Sequence, residues 1–491
     1  MRSIAGIATG IVGAKLIGVP QQLTAGTVGS TAAEGNALKI PPTFSGDELV
    51  AAVARQEVWP GTETTVWTLG GSYPGPTIRV RQGDTFSVRL RNQLFEDTIV
   101  HWHGQIIPHE MDGHPMDAIA PGETFDYEFK VLNRPGTYFY HPHPHGRTAP
   151  QNYRGMSGLF IVEDEVDTGL PSGDFDIPLV IQDRLARPDN DFAYEPTPNE
   201  ILNGLLCDTV LVNGTPDAYL EVSADQYRFR VMNGSNARVL KLGFESGKTF
   251  HVVGTDGGLL DKPYPVESVF LAPAERVELL VDFSQEDVGS SLQFMSLNFS
   301  GSLTYRQQGT TLPILRFDVT GANTNAVSVP AALLPFEPIP VEEAARTRVW
   351  EFQTTPLPSD GHHHHINGRV FEMTRVDGGV KLGETEIWEI RNTHIMPHPV
   401  HVHGVQFQVL ERINGEEMAP RDFGWKDTVL VWGHETVRVI MRFTPYEGIY
   451  LIHCHNLEHE DEGMMLNYEI GDTVTSVDES GAARALRMDL R

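Results

Sequence analysis

The sequence predicts an all-β protein made of three related β-sandwich domains. Short segments alternate apolar and polar side chains with a period of two, as at Phe125, Tyr127, Phe129 and Val131, and turns rich in Gly and Pro separate them. Such alternation is typical of half-buried antiparallel strands. No helical pattern of comparable length occurs. The length of 491 residues exceeds that of one ordinary domain and favours about three.

The composition is that of a globular, strongly acidic chain. Apolar residues make up 40% and charged residues 21%, which excludes wholesale disorder and collagen-like repeats. The chain has 37 Lys and Arg against 65 Asp and Glu, a formal net charge of −28. Such a surface repels phosphate backbones, so we expect no nucleic-acid partner. No apolar run is long enough for a membrane-spanning helix, so we expect no membrane span.

The N-terminal residues 1–35 are interpreted as an export signal or a flexible leader. The stretch 4–14 is short and apolar and resembles the apolar part of a signal, although little positive charge precedes it. We therefore expect an extracytoplasmic protein, periplasmic or secreted. At the other end, the polar tail 476–491 is expected to be loose.

An internal repeat relates the first and last thirds of the chain. The segment GDTFSVRLRN at 83–92 matches GETEIWEIRN at 383–392. Further on, GTYFYHPH at 136–143 matches GIYLIHCH at 448–455. Self-similarity of this kind indicates copies of one domain.

A weaker third copy lies between these two. The segment YRFRVMN at 227–233 repeats a strand that ends in Asn, but Leu242 and Phe244 stand where the outer copies have histidines. The middle copy thus has no histidine pair, and we expect it to be structural or to shape a substrate wall. The predicted domains are 40–168, 175–322 and 345–475.

Four His-x-His pairs are the most unusual feature of the sequence. On a strand, residues two apart point to the same face, so each pair presents two imidazoles together. Docking of the first copy against the last would bring eight imidazoles into one space. Eight neutral nitrogen ligands suit copper and exceed what one zinc ion needs. The pairs are His101 and His103, His141 and His143, His401 and His403, and His453 and His455.

A second ligand set surrounds Cys454, whose side chain is predicted to point away from its two histidine neighbours. Two imidazoles, a thiolate and a thioether form a blue copper electron-transfer site. The spacing favours Met464 as the thioether, with Met465 or a purely structural role as alternatives. The candidate ligands are His398, Cys454, His459 and Met464.

The position of Cys454 between two histidines links the two sites. An electron that reaches the first copper has a short covalent route to the second. In the first copy the equivalent residue is Pro142, so that copy has no such site. A thiolate committed to copper also argues against a disulfide with Cys207, which we expect to be a small buried thiol.

Together these motifs resemble the multicopper oxidases, in particular the three-domain laccase-like branch of bacteria and archaea. The resemblance implies three cupredoxin-like Greek-key domains and four copper ions. It implies that type 1 copper is held by His398, Cys454, His459 and Met464, and type 2 copper by His101 and His401. The type 3 pair is then held by His103, His141, His143, His403, His453 and His455.

The resemblance also implies a reaction. A phenol or an aromatic amine gives single electrons to type 1 copper through the outer edge of His459, and O2 is reduced to water at the trinuclear cluster. The partners are thus O2 and a small reducing substrate. A Cu(I), Fe(II) or Mn(II) oxidase, a bilirubin oxidase and a non-catalytic copper carrier are the alternatives. The only methionines in 320–400 are Met373 and Met396, and so few methionines there disfavour a cuprous oxidase.

Two carboxylates resemble the family's proton-supplying groups. Asp112 could instead form an Asp-Gly turn, and Glu460 could belong to a solvated acidic run at 458–462. The run His362–His365 is interpreted as a polar loop that leads into a strand, with an accessory metal site as the alternative.

Overall fold

The computed structural model describes residues 35–164, 166–185, 191–300, 308–324, 328–355, 358 and 360–472. The predicted tail and all but the last residue of the predicted leader lie outside these residues. Six β-sheets carry most of the described structure, and the predicted all-β fold is confirmed. None of the described helices is long and apolar enough to cross a membrane.

The first copy of the repeat forms a sandwich of two four-stranded sheets. Its strands, after the short β1 (Asn36–Ala37), are β2 (Glu48–Trp59), β3 (Thr62–Leu69), β4 (Gly75–Val80), β5 (Thr85–Asn92), β6 (Val100–His103), β7 (Thr124–Lys130), β8 (Gly136–Pro142) and β9 (Gly158–Val162). The strand orders are β3-β2-β5-β7 and β4-β9-β8-β6. Helix α1 (Thr148–Tyr153) connects β8 to β9. Trp102 is fully buried in the core between the sheets.

The middle copy has larger sheets and an apolar core without histidine. Its strands are β10 (Asp176–Arg184), β11 (Thr209–Val212), β12 (Thr215–Pro216), β13 (Ala218–Ser223), β14 (Gln226–Asn233), β15 (Leu240–Phe244), β16 (Phe250–Thr255), β17 (Gly258–Val266), β18 (Ser268–Leu271), β19 (Arg276–Asp282), β20 (Ser291–Ser296) and β21 (Leu312–Gly321). The orders are β12-β11-β10-β14-β19-β16-β17 and β1-β13-β21-β20-β15-β18. Helix α2 (Pro198–Asn203) lies between β10 and β11 in the chain. Leu242 and Phe244, the counterparts of the histidines, are buried core residues of β15.

The third copy again forms two sheets. Its strands are β22 (Ala344–Thr354), β23 (His364–Ile366), β24 (Val376–Lys381), β25 (Thr385–Asn392), β26 (His398–Val402), β27 (Phe407–Ile413), β28 (Thr428–Val431), β29 (Thr436–Arg442), β30 (Gly448–Cys454) and β31 (Met465–Gly471). The orders are β23-β22-β25-β29-β27 and β24-β31-β30-β26-β28. Helix α3 (Leu457–Asp461) connects β30 to β31. Short 3-10 turns occur at His109–Met111, Pro115–Asp117, Gly173–Phe175, Val341–Glu343 and Pro420–Asp422.

The three copies share a topology that explains the repeated asparagine. In each copy the first long strand pairs in parallel with the strand of the repeat motif, as β2 with β5, β10 with β14 and β22 with β25. The motif strand ends in Asn92, Asn233 or Asn392, and each asparagine is buried. Its amide group donates to two backbone carbonyls, and its oxygen accepts from the backbone N–H two residues on. The asparagine thus closes the turn after the strand.

Candidate metal centres

The four histidine pairs lie on two equivalent strand pairs. In the first copy His101 on β6 is directly opposite His141 on β8. In the third copy His401 on β26 is directly opposite His453 on β30, in the same register. Since alternate residues share a face, each strand pair directs four imidazoles to one side. All eight predicted histidines are at most 4% exposed, the largest value belonging to His455.

Imidazoles from the two copies meet at short distance. The Nε2 atoms of His101 and His401 are 3.3 Å apart. Nε2 of His453 lies 3.0 Å from Nε2 of His403 and 3.5 Å from Nε2 of His143. The ligand nitrogens of these last three residues lie within 4.8 Å of one another, close enough to share one metal ion.

The other three histidines form a second group. The ring centroids of His103, His141 and His455 are 5.1 to 5.6 Å apart. Nδ1 of His103, Nε2 of His141 and both ring nitrogens of His455 are buried and have no hydrogen-bond partner among the described residues. Buried polar atoms are rarely left without a partner, so these nitrogens fit a metal ion.

Hydrogen bonds and burial leave nitrogen lone pairs available. Nδ1 of His101 donates to the carbonyl of Asp112 at 2.6 Å, and Nδ1 of His401 donates to the carbonyl of Asp427 at 2.8 Å. Nδ1 of His141 donates to the carbonyl of the next residue at 2.9 Å. Each contact leaves Nε2 unprotonated. Burial, reinforced by neighbouring imidazoles, lowers the pKa of His101 and His401 well below the usual range, so both are neutral as metal ligands must be.

Three of the four predicted ligands of this second site, His398, Cys454 and His459, come together, and the backbone of Met464 adjoins them. Nδ1 of His398 lies 3.4 Å and Nδ1 of His459 3.7 Å from the Cys454 sulfur. The backbone of Met464 accepts from the N–H of Cys454 at 3.0 Å and donates to the carbonyl of His459 at 2.9 Å. All four side chains are fully buried. Burial raises the pKa of the Cys454 thiol, so metal binding there requires the release of a proton.

Asp112 is both a turn residue and a neighbour of the histidines. It ends a 3-10 turn before Gly113, whose φ of +80° suits glycine. Its Oδ2 accepts from Nδ1 of His403 at 2.7 Å, whereas its Oδ1 has no hydrogen-bond partner among the described residues. Burial, together with the charge of Asp117, raises the pKa of Asp112 well above its usual range, so this side chain can hold a proton near the imidazoles.

Glu460 is buried, and the interpretation of 458–462 as a solvated run is wrong for it and for Glu458. These carboxylates are 1% and 2% exposed. Glu460 lies 3.1 Å from Nδ1 of His453 and 3.6 Å from Nε2 of His143. Burial alone would raise its pKa, but attraction to these imidazoles outweighs burial and lowers the pKa to about 2. Glu458 instead accepts from the amide of Asn236 at 2.8 Å and is a structural anchor.

Comparisons with known proteins identify the family. Three family models described as multicopper oxidase match residues 52–167, 186–318 and 340–474. The chain belongs to the multicopper oxidase family. It is an oxidoreductase that uses copper and O2, as its resemblance implied.

Individual relatives of this oxidase cover most of the chain. A Staphylococcus epidermidis protein named multicopper oxidase mco is 34% identical over 81% of this chain and 83% of the relative. A Bacillus subtilis laccase is 31% identical over 83% and 91%. An Escherichia coli protein named cell division protein FtsP is 33% identical over 82% and 86%. The crystal structure of the McoA multicopper oxidase from Aquifex aeolicus superposes with a TM-score of 0.82 at 37% identity and covers 89% of this chain and all of that one.

The outer edge of His459 in this oxidase is covered. Its Nε2 donates to the carbonyl of Leu202 in α2 at 3.2 Å, and its ring stacks on His364 at a centroid distance of 3.8 Å. The predicted loop of the His362–His365 run does lead into a strand, because β23 begins at His364. His364 itself is fully buried and is not part of a polar surface. No sequence pattern indicates these contacts, because α2 belongs to the middle copy and β23, although in the same copy as His459, lies far from it in the chain.

The sequence reasoning also missed the residues behind the histidines. Oδ1 of Asp427 and Oγ1 of Thr428 each lie 3.0 Å from Nε2 of His103. Both residues stand at the start of β28, at an unremarkable Asp-Thr pair in the sequence. No motif or repeat match could have indicated them.

Proposed function

We propose that this oxidase binds four copper ions through the residues predicted from the sequence. Type 1 copper is assigned to His398, Cys454, His459 and Met464, and type 2 copper to His101 and His401. The type 3 pair is assigned to His103, His141, His143, His403, His453 and His455. The observation that supports these assignments most is the convergence of buried imidazole nitrogens that have no hydrogen-bond partner among the described residues.

The proposed reaction is that of a laccase. When bound, copper takes single electrons from a phenol or an aromatic amine and passes four of them to O2, which also takes up four protons and leaves as two waters. The relatives named laccase support this substrate class. Each donor molecule loses one electron and becomes a radical.

The chain supplies the electron route. Cys454 contributes its sulfur to one cluster, and its two peptide neighbours, His453 and His455, contribute imidazoles to the other. Val400, which pairs with Cys454 on β26, is a fully buried apolar residue on the same face of the sheet as the cysteine. The path between clusters is therefore covalent and excludes water.

Two carboxylates are placed to manage protons. Asp112, whose pKa burial raises well above its usual range, lies beside His403, whereas Glu460, whose pKa is lowered, lies beside His143 and His453. Three oxygens of this pair have no hydrogen-bond partner among the described residues, so they can exchange hydrogen bonds with a small oxygen species. We propose that Asp112 and Glu460 deliver the protons that O2 reduction consumes.

On the donor side, electrons cross a thin layer of protein. Since Leu202 and His364 cover His459, a phenol contacts this layer and not the ligand itself. Outer-sphere electron transfer tolerates such a layer. The oxidation of a metal ion remains the second candidate, but Glu458 and Glu460 are buried and offer no acidic surface for a cation.

The copper-free or carrier alternatives fit the geometry less well. A protein that only carries copper or only supports other proteins gains nothing from two ligand clusters joined through one cysteine. We also propose the domain boundaries 40–168, 175–322 and 345–475, and export from the cytoplasm.

Oxygen uptake by the copper-loaded protein tests the proposed reaction. A methoxyphenol and Cu(I) serve as parallel donors, and the Cys454→Ser variant serves as control. We expect fast uptake with the phenol, little above background with Cu(I), and background only for the variant. Fast uptake with Cu(I) alone would make the protein a metal-ion oxidase. No uptake with either donor at full copper loading would contradict the oxidase proposal.

A further inference from the structure

A buried ionic cluster connects the middle copy to the proposed trinuclear site. The middle copy contributes Asp256, Glu275 and Arg276, and the third copy contributes Lys426 and Asp427. Each of the five residues is at most 1% exposed. Buried charges are costly unless they are paired and fully hydrogen-bonded, so such a cluster needs a specific explanation.

Arg276, the first residue of β19, has no freedom of orientation. Its Nη1 donates to Oδ1 of Asp427 at 2.8 Å and to the carbonyl of Ala274 at 2.7 Å. Its Nη2 donates to the other oxygen of Asp427 and, at 3.0 Å, to the carbonyl of Asp256. Its Nε donates to the carbonyl of Thr137 at 3.0 Å. All five N–H groups of the guanidinium are therefore used, and the paired contact fixes the plane of the Asp427 carboxylate.

Asp427 in turn holds two proposed copper ligands from different copies. Its Oδ1 accepts from Nε2 of His103 at 3.0 Å, and its backbone carbonyl accepts from Nδ1 of His401 at 2.8 Å. Because Nε2 of His103 donates to Asp427, Nδ1 is the ring nitrogen with a free lone pair. Nδ1 has no hydrogen-bond partner among the described residues. His101 and His401 present Nε2 instead. Asp427, together with the Thr428 hydroxyl that lies equally close to Nε2 and donates to Asp427, therefore decides which nitrogen His103 offers.

The space around this contact is closed. A Cβ atom on Gly104 would lie 2.3 Å from Oδ2 of Asp427 and 3.0 Å from Nη2 of Arg276. Lys426 packs behind, with its Nζ 2.8 Å from Asp256 and 3.3 Å from Glu275. Two cations and three carboxylates leave one net negative charge beside a site that would hold cations.

We propose that Arg276 is a positioning residue of the trinuclear site, through which the middle copy, itself without copper ligands, orients His103 and His401 by way of Asp427. This inference rests on the proposed function, because it takes both histidines as copper ligands. Loss of an outer contact of this kind costs about 10- to 100-fold in metal affinity.

The test compares copper retention in variants of the full-length, copper-loaded protein. Arg276→Met removes every donor, Arg276→Lys keeps the charge but not the paired contact, and Asp427→Asn removes the acceptor charge. Arg412→Met is the matched control, because Arg412 is equally buried and paired with Asp422 and Glu435 but touches no proposed ligand. Copper per chain is measured during chelator competition, together with the blue absorption of type 1 copper and the electron paramagnetic resonance signal of type 2 copper.

We expect Arg276→Met to lose copper from the trinuclear site at about 10- to 100-fold lower chelator concentration, with a changed type 2 signal and intact blue absorption. The copper retention of Arg276→Lys should lie between that of Arg276→Met and that of the wild type. Arg412→Met should retain all copper. If Arg276→Met does not fold, Asp427→Asn decides the question by the same readouts. Copper retention equal to that of the wild type, with an unchanged type 2 signal, in the folded Arg276 and Asp427 variants would overturn the inference. A wild type that fails to bind four coppers would instead overturn the proposed ligand set.

Discussion

The first and third copies hold the same histidine strands in the same register, yet only the third carries the residues proposed for a blue copper site. His101 faces His141 as His401 faces His453. The residue after His141 is Pro142, where the third copy has Cys454.

The first copy also keeps one of the remaining ligand types proposed for the third copy, a methionine, but not the histidine at the position of His398. The pairing of Tyr140 with Gly158, and of Ile452 with Leu466, aligns Met156 with Met464. Met156 is fully buried in the core of the first copy. Thr98, at the position of His398, donates its hydroxyl to the side chain of Gln151 at 2.8 Å. A thioether in the right place is therefore not a site, because the thiolate and the imidazoles are missing.

The middle copy differs from both. Where the outer copies direct imidazoles to a shared face, it uses buried ion pairs, such as Glu278 with Arg228 and Arg230. We propose that one fold serves three tasks: the first copy supplies ligands, the third supplies ligands and the electron route, and the middle copy supplies support.

The largest expected effect is that of Cys454→Ser. Without the thiolate the blue absorption should disappear and oxygen uptake with a phenol should fall to background, since no covalent route remains. Copper at the eight imidazoles should be retained. Cys207→Ala is the control, because Cys207 is also a buried free thiol but lies outside both clusters. Normal turnover by the serine variant would break the comparison between copies one and three.

Next comes the Asp112→Asn substitution, which removes a proton-holding group but keeps its shape. Turnover of the fully copper-loaded variant should fall about 100-fold, the usual contribution of one acid–base group. The pH profile of turnover should lose the limb due to Asp112. Glu110→Gln is the control, since Glu110 is exposed two residues away. An unaltered rate and pH profile would show that Asp112 serves only to form the turn before Gly113.

For the middle copy, Glu278→Gln should lower the free energy of unfolding by about 3 kcal/mol at neutral pH. Burial would raise the pKa of Glu278, but Arg228 and Arg230 outweigh it and lower the pKa from 4.5 to about 2. The native pKa lies below the unfolded one, so this stabilisation is present above pH 4.5 and is lost as the pH falls towards 2.

Chemical denaturation across this range provides the measurement for Glu278→Gln. The variant should show a shallower loss of stability between pH 4.5 and 2 than the wild type. Glu63→Gln, which breaks an exposed pair with Arg55, should cost less than about 1 kcal/mol. Equal losses for the two variants would argue against ion-pair support of the middle copy.

A smaller effect is expected for Met464→Leu. The similar volume should keep the change in unfolding free energy below about 1.5 kcal/mol. A thioether ligand lowers the type 1 potential relative to a side chain that does not coordinate, so redox titration should give a higher potential. Met465→Leu should leave it as it is. A potential that responds only to Met465 would reassign the axial ligand.

The smallest effect should come from Pro142→Cys. A cysteine at this position has no counterparts of His398 and His459, so no second blue absorption should appear after copper loading. A second blue centre would show that the thiolate alone distinguishes the two copies.

Much of this site was predictable from residues on strands. The alternation around His101 and His141 fixes their common face, and the repeat transfers this geometry to His401 and His453. Contacts between copies were not predictable, because nothing in a local pattern tells which loop covers which strand. The same holds within the third copy, where His364, interpreted as part of a polar loop, is buried because β23 brings it onto His459.

We propose that one cysteine joins two copper sites within one chain. Anaerobic titration of the copper-loaded protein with a one-electron reductant tests this link, with the number of reducing equivalents consumed per chain as the readout. We expect four electrons per wild-type chain and three for Cys454→Ser, with O2 reoxidising all four in the wild type. Equal electron counts for the two proteins, or fewer than four in the fully loaded wild type, would contradict it.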